Sequence, residues 1–369
     1  MKPKFKKFYS LLKGIYQYNI LSYFKTLSPT ALQINITYQC NSHCQMCQIW
    51  KMRPKNELSF SEWERAMQDP IFKNTERLII AGGEPILHPQ LIKLIKLYLK
   101  SMPRLQFLTL VTNGFLPQKT VAIIKSLAVL SQKQQLNFSV AVSLDGIGKI
   151  HDKIRGVPGV FAKTSTTILA LKKLVPQYNF YLEIACLVCR KNLYQVKKVK
   201  EWCQANNLFL SFQLIGFHQT YVNNLEKEKA LEFKNKDKKY LFSFIKELIS
   251  SRNSPRFWIN SYYWSDMLNL YQGKKRQSPC PFLMDAFVLD SLGDVYYCLS
   301  ENKIGNYRHG KSVSSIYYDP KNLAFRQRLA KTKCLKCNSA CFIDSVIIKN
   351  FKKLSGYFLK DIFKKNNDY

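Results

Sequence analysis

Cys40-Asn41-Ser42-His43-Cys44-Gln45-Met46-Cys47 follows directly on the apolar run Leu32-Gln33-Ile34-Asn35-Ile36-Thr37, which places three cysteines spaced C-x3-C-x2-C on one loop at the end of a candidate strand. Iron-sulfur clusters are held by such thiolates, and three of them on a four-iron cube leave one iron open to a small molecule. A structural zinc site wants four closed ligands and usually pairs C-x2-C with a second pair downstream. His43 offers a fourth ligand, but it adjoins Cys44 and is hard to aim at the same ion. The loop therefore favours a cluster over zinc.

Outward from this loop, strand and helix patterns alternate. Candidate strands over 32–37, 77–81, 106–112, 137–143, 180–188 and 208–215 are rich in β-branched or aromatic residues. Helical stretches lie between them at 59–68, 89–101, 117–131, 161–174 and 194–206, the first opening on a capping-box pair, Ser59 and Glu62. Such alternation implies right-handed crossovers and a parallel sheet. Ligands of these sheets gather at the carboxyl ends of the strands, where this chain keeps its unusual residues. Strand one ends in the cysteine loop, strand two in Gly82-Gly83-Glu84-Pro85, strand three in Thr112-Asn113-Gly114 and strand four in Ser143-Leu144-Asp145-Gly146. The glycines let backbone approach a ligand closely, and Asn113 and Ser143 offer neutral polar groups suited to a ribose or a carboxylate. Asp145 suits a turn cap.

In this order the motifs resemble those of the radical S-adenosylmethionine (SAM) enzymes. The resemblance implies an α/β fold, a partial (β/α)6 TIM-type barrel with a small C-terminal Fe-S-binding extension. It implies a 4Fe-4S cluster on Cys40, Cys44 and Cys47 whose free iron binds SAM, and reductive cleavage of SAM to a deoxyadenosyl radical. It assigns cofactor contacts to Gly82, Gly83 and Glu84, to Asn113 and Ser143, and to Arg155 as partner of the SAM carboxylate, a bidentate task that lysine does poorly. Met46 stands where many members place an aromatic residue against the adenine, and it is apolar and polarizable enough to substitute. An electron donor such as flavodoxin or ferredoxin is also implied.

A second cysteine group follows a highly charged stretch at 225–240 and an aromatic one at 257–264. Cys280 precedes 289–298, whose apolar residues around Gly293-Asp294 signal a hairpin returning Cys298 toward Cys280; Cys334, Cys337 and Cys341 come later as C-x2-C-x3-C. In isolation the group reads as a zinc knuckle. Behind a radical SAM barrel it resembles the twitch or shortened SPASM extension, which holds an auxiliary 4Fe-4S cluster. Cys280, Cys298, Cys334 and Cys337 are the expected ligands, with Cys341 as alternate. Asp285 and Asp290, close by in sequence, are candidate general bases. Cys186, Cys189 and Cys203 read as buried thiols, since residues three apart on a strand point to opposite faces.

The domains expected are a basic amphipathic N-terminal helix (1–29), the barrel (30–220), a helical linker (221–275), the auxiliary-cluster domain (276–345) and a basic amphipathic tail (346–369). Lys and Arg total 57 against 24 Asp and Glu, a formal charge of +33 in 369 residues, mostly as lysine scattered through helices. A compositionally biased genome gives the same pattern, and no sequence-specific nucleic acid is expected; a metal-binding nucleic-acid binder is the rival from another class. Eleven cysteines without a signal-peptide pattern point to a reducing cytoplasm, and the uncharged stretch 26–50 is too polar to span a membrane. The two basic amphipathic ends suit peripheral contact with an anionic membrane at its inner face. The first 30 residues are too short for a leader-recognition domain, which favours hydrogen abstraction from a small-molecule, sugar or lipid-linked substrate. Peptide or protein modification, as in peptide-natural-product or sulfatase maturation, is the alternative.

Overall fold

The computed structural model of the protein describes residues 12–251, 257–339 and 354–357. Its central feature is a sheet of nine strands among the described residues: β1 (Ala31–Asn35), β2 (Arg77–Ala81), β3 (Phe107–Thr112), β4 (Asn137–Ser143), β5 (Tyr181–Val188), β6 (Phe209–Leu214), β7 (Ala286–Asp290), β8 (Asp294–Tyr296) and β9 (Gly305–Asn306). Their order is β6-β5-β4-β3-β2-β1-β7-β8-β9. From β6 to β7 every pair is parallel, while β8 and β9 add on antiparallel. The sheet is not closed, so the expected α/β partial barrel is the observed fold.

Burial explains the arrangement. β1 lies between β2 and β7 with all five residues buried, and β2 and β3 alternate half-buried and buried. Of the two polar side chains that β1 buries, Gln33 donates through Nε2 to Asn35 Oδ1 at 2.9 Å, while Asn35 Nδ2 has no hydrogen-bond partner. Helix Leu91–Ser101 buries Leu91, Leu94, Ile95 and Tyr98, one face at helical spacing, and each such side chain contributes roughly 1.5–3 kcal/mol. Helix Phe60–Ala66 starts on the expected capping box, with Ser59 and Glu62 bonded reciprocally.

The parallel part of the sheet has one strand more than the six expected. β7 joins the sheet parallel to β1, with Ala31 opposite Ala286 and Asn35 opposite Asp290. The expected hairpin does form, β7 turning into β8 through Gly293 at φ +82°, but its first strand belongs to the barrel sheet. The chain divides into two compact units. One comprises Pro29–Lys234 and Ala286–Asn322, the other Met1–Ser28, Asn235–Asp285 and Leu323–Tyr369. The segment drawn from sequence as 276–345 is thus shared between them, because 286–290 is an apolar run that completes the ladder beside β1.

In the second unit, Tyr18 and Leu27 form a buried cluster with Leu21 and Met284, and the Tyr18 hydroxyl donates to Asp285. Leu12, Tyr16, Ile20 and Phe24 face outward. The expected tail at 346–369, apart from 354–357, and Cys341 lie outside the described residues. Among the described residues no helix is long and apolar enough to cross a membrane.

Candidate active site

The cysteine loop is held from three sides, twice by backbone and once by a side chain. Gly83 N donates to Thr37 O at 2.7 Å and Glu84 N to Gln39 O at 2.8 Å, so the loop after β2 lies directly on the loop after β1. A Cβ on Gly83 would stand 2.2 Å from Gln39 O, closer than any side chain tolerates. From the β4 side, His43 N donates to Arg155 O and Gln45 N to Ile154 O, both at 2.9 Å, and Gly156 at φ +70° allows that approach. From beyond β6, the buried Asn224 donates through Nδ2 to Met46 O at 2.9 Å and to Gly216 O at 3.0 Å. Asn224 carries no motif, and its role was invisible in the sequence.

Cys40, Cys44 and Cys47 line one cavity of about 180 Å³. Gly82, Gly83, Glu84, Asn113, Ser143 and Arg155 line it too. Met46 does not: its side chain is buried elsewhere, and Trp50 lines the cavity instead, its indole Nε1 buried and without a hydrogen-bond partner. A tryptophan six residues past Cys44 could have been marked by residue type, but its direction is set by the loop.

The charged residues are already engaged. Glu84, 2 % exposed, accepts from Thr112 Oγ1 (2.8 Å) and Ile86 N (3.1 Å) on one oxygen and from Asn113 N (2.7 Å) on the other. Burial raises its pKa against the pull of these donors. Its carboxylate therefore ties the loops after β2 and β3 together. Asn113 Nδ2 donates to Asn41 Oδ1 at 2.7 Å. Arg155 Nη2 pairs with Asp145 Oδ2 at 2.6 Å and Nη1 donates to Cys44 Sγ at 3.6 Å, while Nε is buried with no hydrogen-bond partner. Burial works against the Arg155 charge, but Asp145 and the Cys44 thiol outweigh it and raise its pKa. Asp145, expected as a turn cap, is the arginine's counter-ion and also accepts from Leu187 N at 2.8 Å. His151 accepts from Asp145 N, and burial, with Arg155 nearby, pushes its pKa down to about 3, so the ring is neutral.

The donor set fits an iron-sulfur cluster. Burial pushes the Cys40 and Cys47 thiols up to about 12, and the Cys44 sulfur beside them adds to it. Thiols raised in this way become thiolates against a bound cation, which releases their protons. Arg155 supplies part of that charge at Cys44.

Asp290 has both carboxylate oxygens engaged, and Asp285 has at least one. Asp290 accepts from the hydroxyls of Tyr38 (2.7 Å) and Tyr296 (3.1 Å) and from Leu292 N (3.0 Å) and Asp294 N (2.9 Å). Asp285 is buried and receives the Tyr18 hydroxyl. Burial lifts Asp290 from the ordinary 3.8 to about 6. A carboxyl raised in the folded state stabilises it fully below about 4, and that contribution is lost as pH rises to about 6. Asp290→Asn is expected to flatten this part of the stability profile, read by urea melts between pH 4 and 7, while SAM cleavage persists. An unchanged profile, or loss of SAM cleavage in a stably folded variant, would contradict this.

Of the second cysteine group, Cys280, Cys334 and Cys337 belong to one unit and Cys298, just past β8, to the other. Cys186, Cys189 and Cys203 are buried thiols, as read from the sequence.

Residues 34–185 match the radical SAM superfamily model and form a radical SAM domain. It is 26% identical over 330 residues to the cysteine-type anaerobic sulfatase-maturating enzyme of Clostridium novyi, a match spanning 81% of this chain and 82% of that one. To the AdoMet-dependent heme synthase of Methanosarcina barkeri it is 27% identical over 179 residues, 48% of this chain and 47% of the relative. The chain thus spans about half the length of that relative and most of the maturase. Among solved structures, anSMEcpe with bound AdoMet shares the fold at a TM-score of 0.58 and 19% identity, over 92% of this chain and 99% of that one. Streptococcus suis SuiB bound to precursor peptide SuiA does so at 0.57 and 17%, over 93% and 77%. The superfamily uses a 4Fe-4S cluster and SAM.

Proposed function

We propose that this chain is a peptide- or protein-modifying radical SAM enzyme that removes a hydrogen atom from a carbon of its substrate. The observation that carries it is the match to the sulfatase-maturating enzyme, which extends well beyond residues 34–185 to 81% of the chain. The small-molecule preference read from the sequence rested on the short N-terminal segment and gives way to this match. Two proteins of this fold, SuiB with precursor peptide SuiA and anSMEcpe with a Cp18Cys peptide, are known with peptides bound.

Cys40, Cys44 and Cys47 would hold the SAM cluster, and Cys280, Cys334 and Cys337, which belong to one unit, would supply ligands to an auxiliary one. When bound and reduced, the first cluster would supply one electron for cleavage of SAM to methionine and a deoxyadenosyl radical. The chain's own residues orient the co-substrate. The Gly82-Gly83 backbone admits the methionine part closely, the Arg155 Nε offers a cationic donor to its carboxylate, and Trp50 gives an aromatic wall for the adenine. Glu84, Asn113 and Asn41 fix the loops around it.

The test is anaerobic. Reconstituted protein with SAM and dithionite is given a pool of deuterated cysteine- and serine-containing peptides, beside a pool of deuterated sugars and aminocyclitols. Deuterium is expected in 5′-deoxyadenosine from the peptide pool. Label from the sugar pool alone would replace the peptide assignment with a small-molecule one.

A further inference from the structure

The unit that carries Cys280, Cys334 and Cys337 also buries a guanidinium between the two cysteine arms. Arg276, 6 % exposed, stands four residues before Cys280. Its Nε donates to Ser278 Oγ at 2.9 Å and Ser278 O at 3.1 Å, on the Cys280 arm. Its Nη1 donates to Cys337 O at 3.0 Å, and its backbone N to Leu335 O at 2.8 Å, on the other arm. Nη2 is buried and has no hydrogen-bond partner.

A buried cation needs an anion, and among the described residues no carboxylate lies within ion-pair distance of this one. The nearest acidic candidate is committed elsewhere: Asp266 accepts from Gln277 N at 2.8 Å and Ser278 N at 2.7 Å. Burial opposes the Arg276 charge, and the Cys280 and Cys337 thiols are the first groups that favour it. A cluster on cysteine thiolates carries net negative charge and gains more on reduction, so a fixed positive charge beside it stabilises the reduced form.

We propose that Arg276 is a charge-positioning residue of the auxiliary site: its guanidinium ties the Cys280 arm to the Cys334–Cys337 arm and balances a cluster bound there, raising that cluster's reduction potential. The inference rests on the auxiliary-cluster assignment made above, and the two fail separately.

The experiment uses the full chain carrying Cys44→Ala, in which the auxiliary cluster is the iron that remains, and follows its potential by EPR-monitored titration. Metal analysis of this parent comes first: zinc, or no iron, overturns the auxiliary cluster before Arg276 is touched, and the Arg276 assignment with it. With iron present, Arg276→Gln is expected to lower the potential and Arg276→Lys, which keeps the charge, to leave it close to the parent. Loss of iron from Arg276→Gln with retention in Arg276→Lys also supports a charge requirement. A potential unmoved in Arg276→Gln at full iron overturns the proposal. Equal iron loss from both variants overturns it too, since the guanidinium's shape and not its charge would then be what the site needs.

Discussion

Alanine at Cys44 is expected to remove about four irons per reconstituted chain and to bring 5′-deoxyadenosine formation from SAM down to the background of the cluster-free protein. The expectation follows from how little redundancy the loop has. Cys40, Cys44 and Cys47 line one cavity, and with one thiolate per iron three ligands leave a single iron of a four-iron cube open, so none of the three is spare. Cys44 is also the sulfur that the rest of the site addresses. Ser42 Oγ lies 2.9 Å from it and Arg155 Nη1 3.6 Å, so its loss takes a bond from each. A suitable control is Cys203→Ala, which removes a thiol on the buried face of helix Val196–Ala205, far in sequence from either cysteine group. That variant is expected to keep all its iron and its SAM cleavage, with a stability loss on the order of 1–2 kcal/mol for the lost packing. Iron content and deoxyadenosine yield unchanged in Cys44→Ala would remove the cluster from this loop.

Much of this site was legible in the sequence because its elements are local. A strand end, a pair of glycines or a C-x3-C-x2-C spacing is visible within a few residues, and strand alternation then brings four such ends to one rim. Six strands and the cavity-lining roles of Gly82, Gly83, Glu84, Asn113, Ser143 and Arg155 could be read in this way. What stayed hidden depends on partners far away in the chain. β7 reads as half of an independent hairpin, and its pairing with β1 joins segments about 250 residues apart. Asp290 and Asp285 look available beside the cysteines, yet Tyr38 and Tyr18 from the start of the chain occupy them. Trp50 replaces Met46 at the cavity because loop direction, unlike strand or helix direction, follows no period. Arg276 was not singled out at all, since one arginine among 57 basic residues carries no signal until its burial is known.

Arg155→Ala is expected to destabilise the protein by about 3–5 kcal/mol, because it leaves Asp145 charged, buried and unpaired. The Asp145 side chain is fully buried and that of Arg155 nearly so, and the pair is closed at 2.6 Å. Screening by solvent is therefore small, unlike in a surface pair. Losing the cation also lets burial raise the Asp145 pKa further, so stability that depends on the pair falls off at higher pH as the lone carboxyl is forced to ionise. The double-mutant comparison separates this cost from any general disruption. Asp145→Asn alone keeps the acceptor for Leu187 N but strands the guanidinium, and is expected to cost a similar amount. Combining it with Arg155→Ala removes both charges, and the two losses are expected to overlap by more than about 1.5 kcal/mol in urea unfolding. Strict additivity would show that the pair does not act as a unit. Arg155→Lys adds the functional readout: a point charge cannot serve Asp145 and the Cys44 sulfur together while keeping a donor for a carboxylate. This variant is expected to fold with its iron in place and to bind SAM at least about tenfold more weakly, and undiminished SAM affinity would detach Arg155 from the carboxylate.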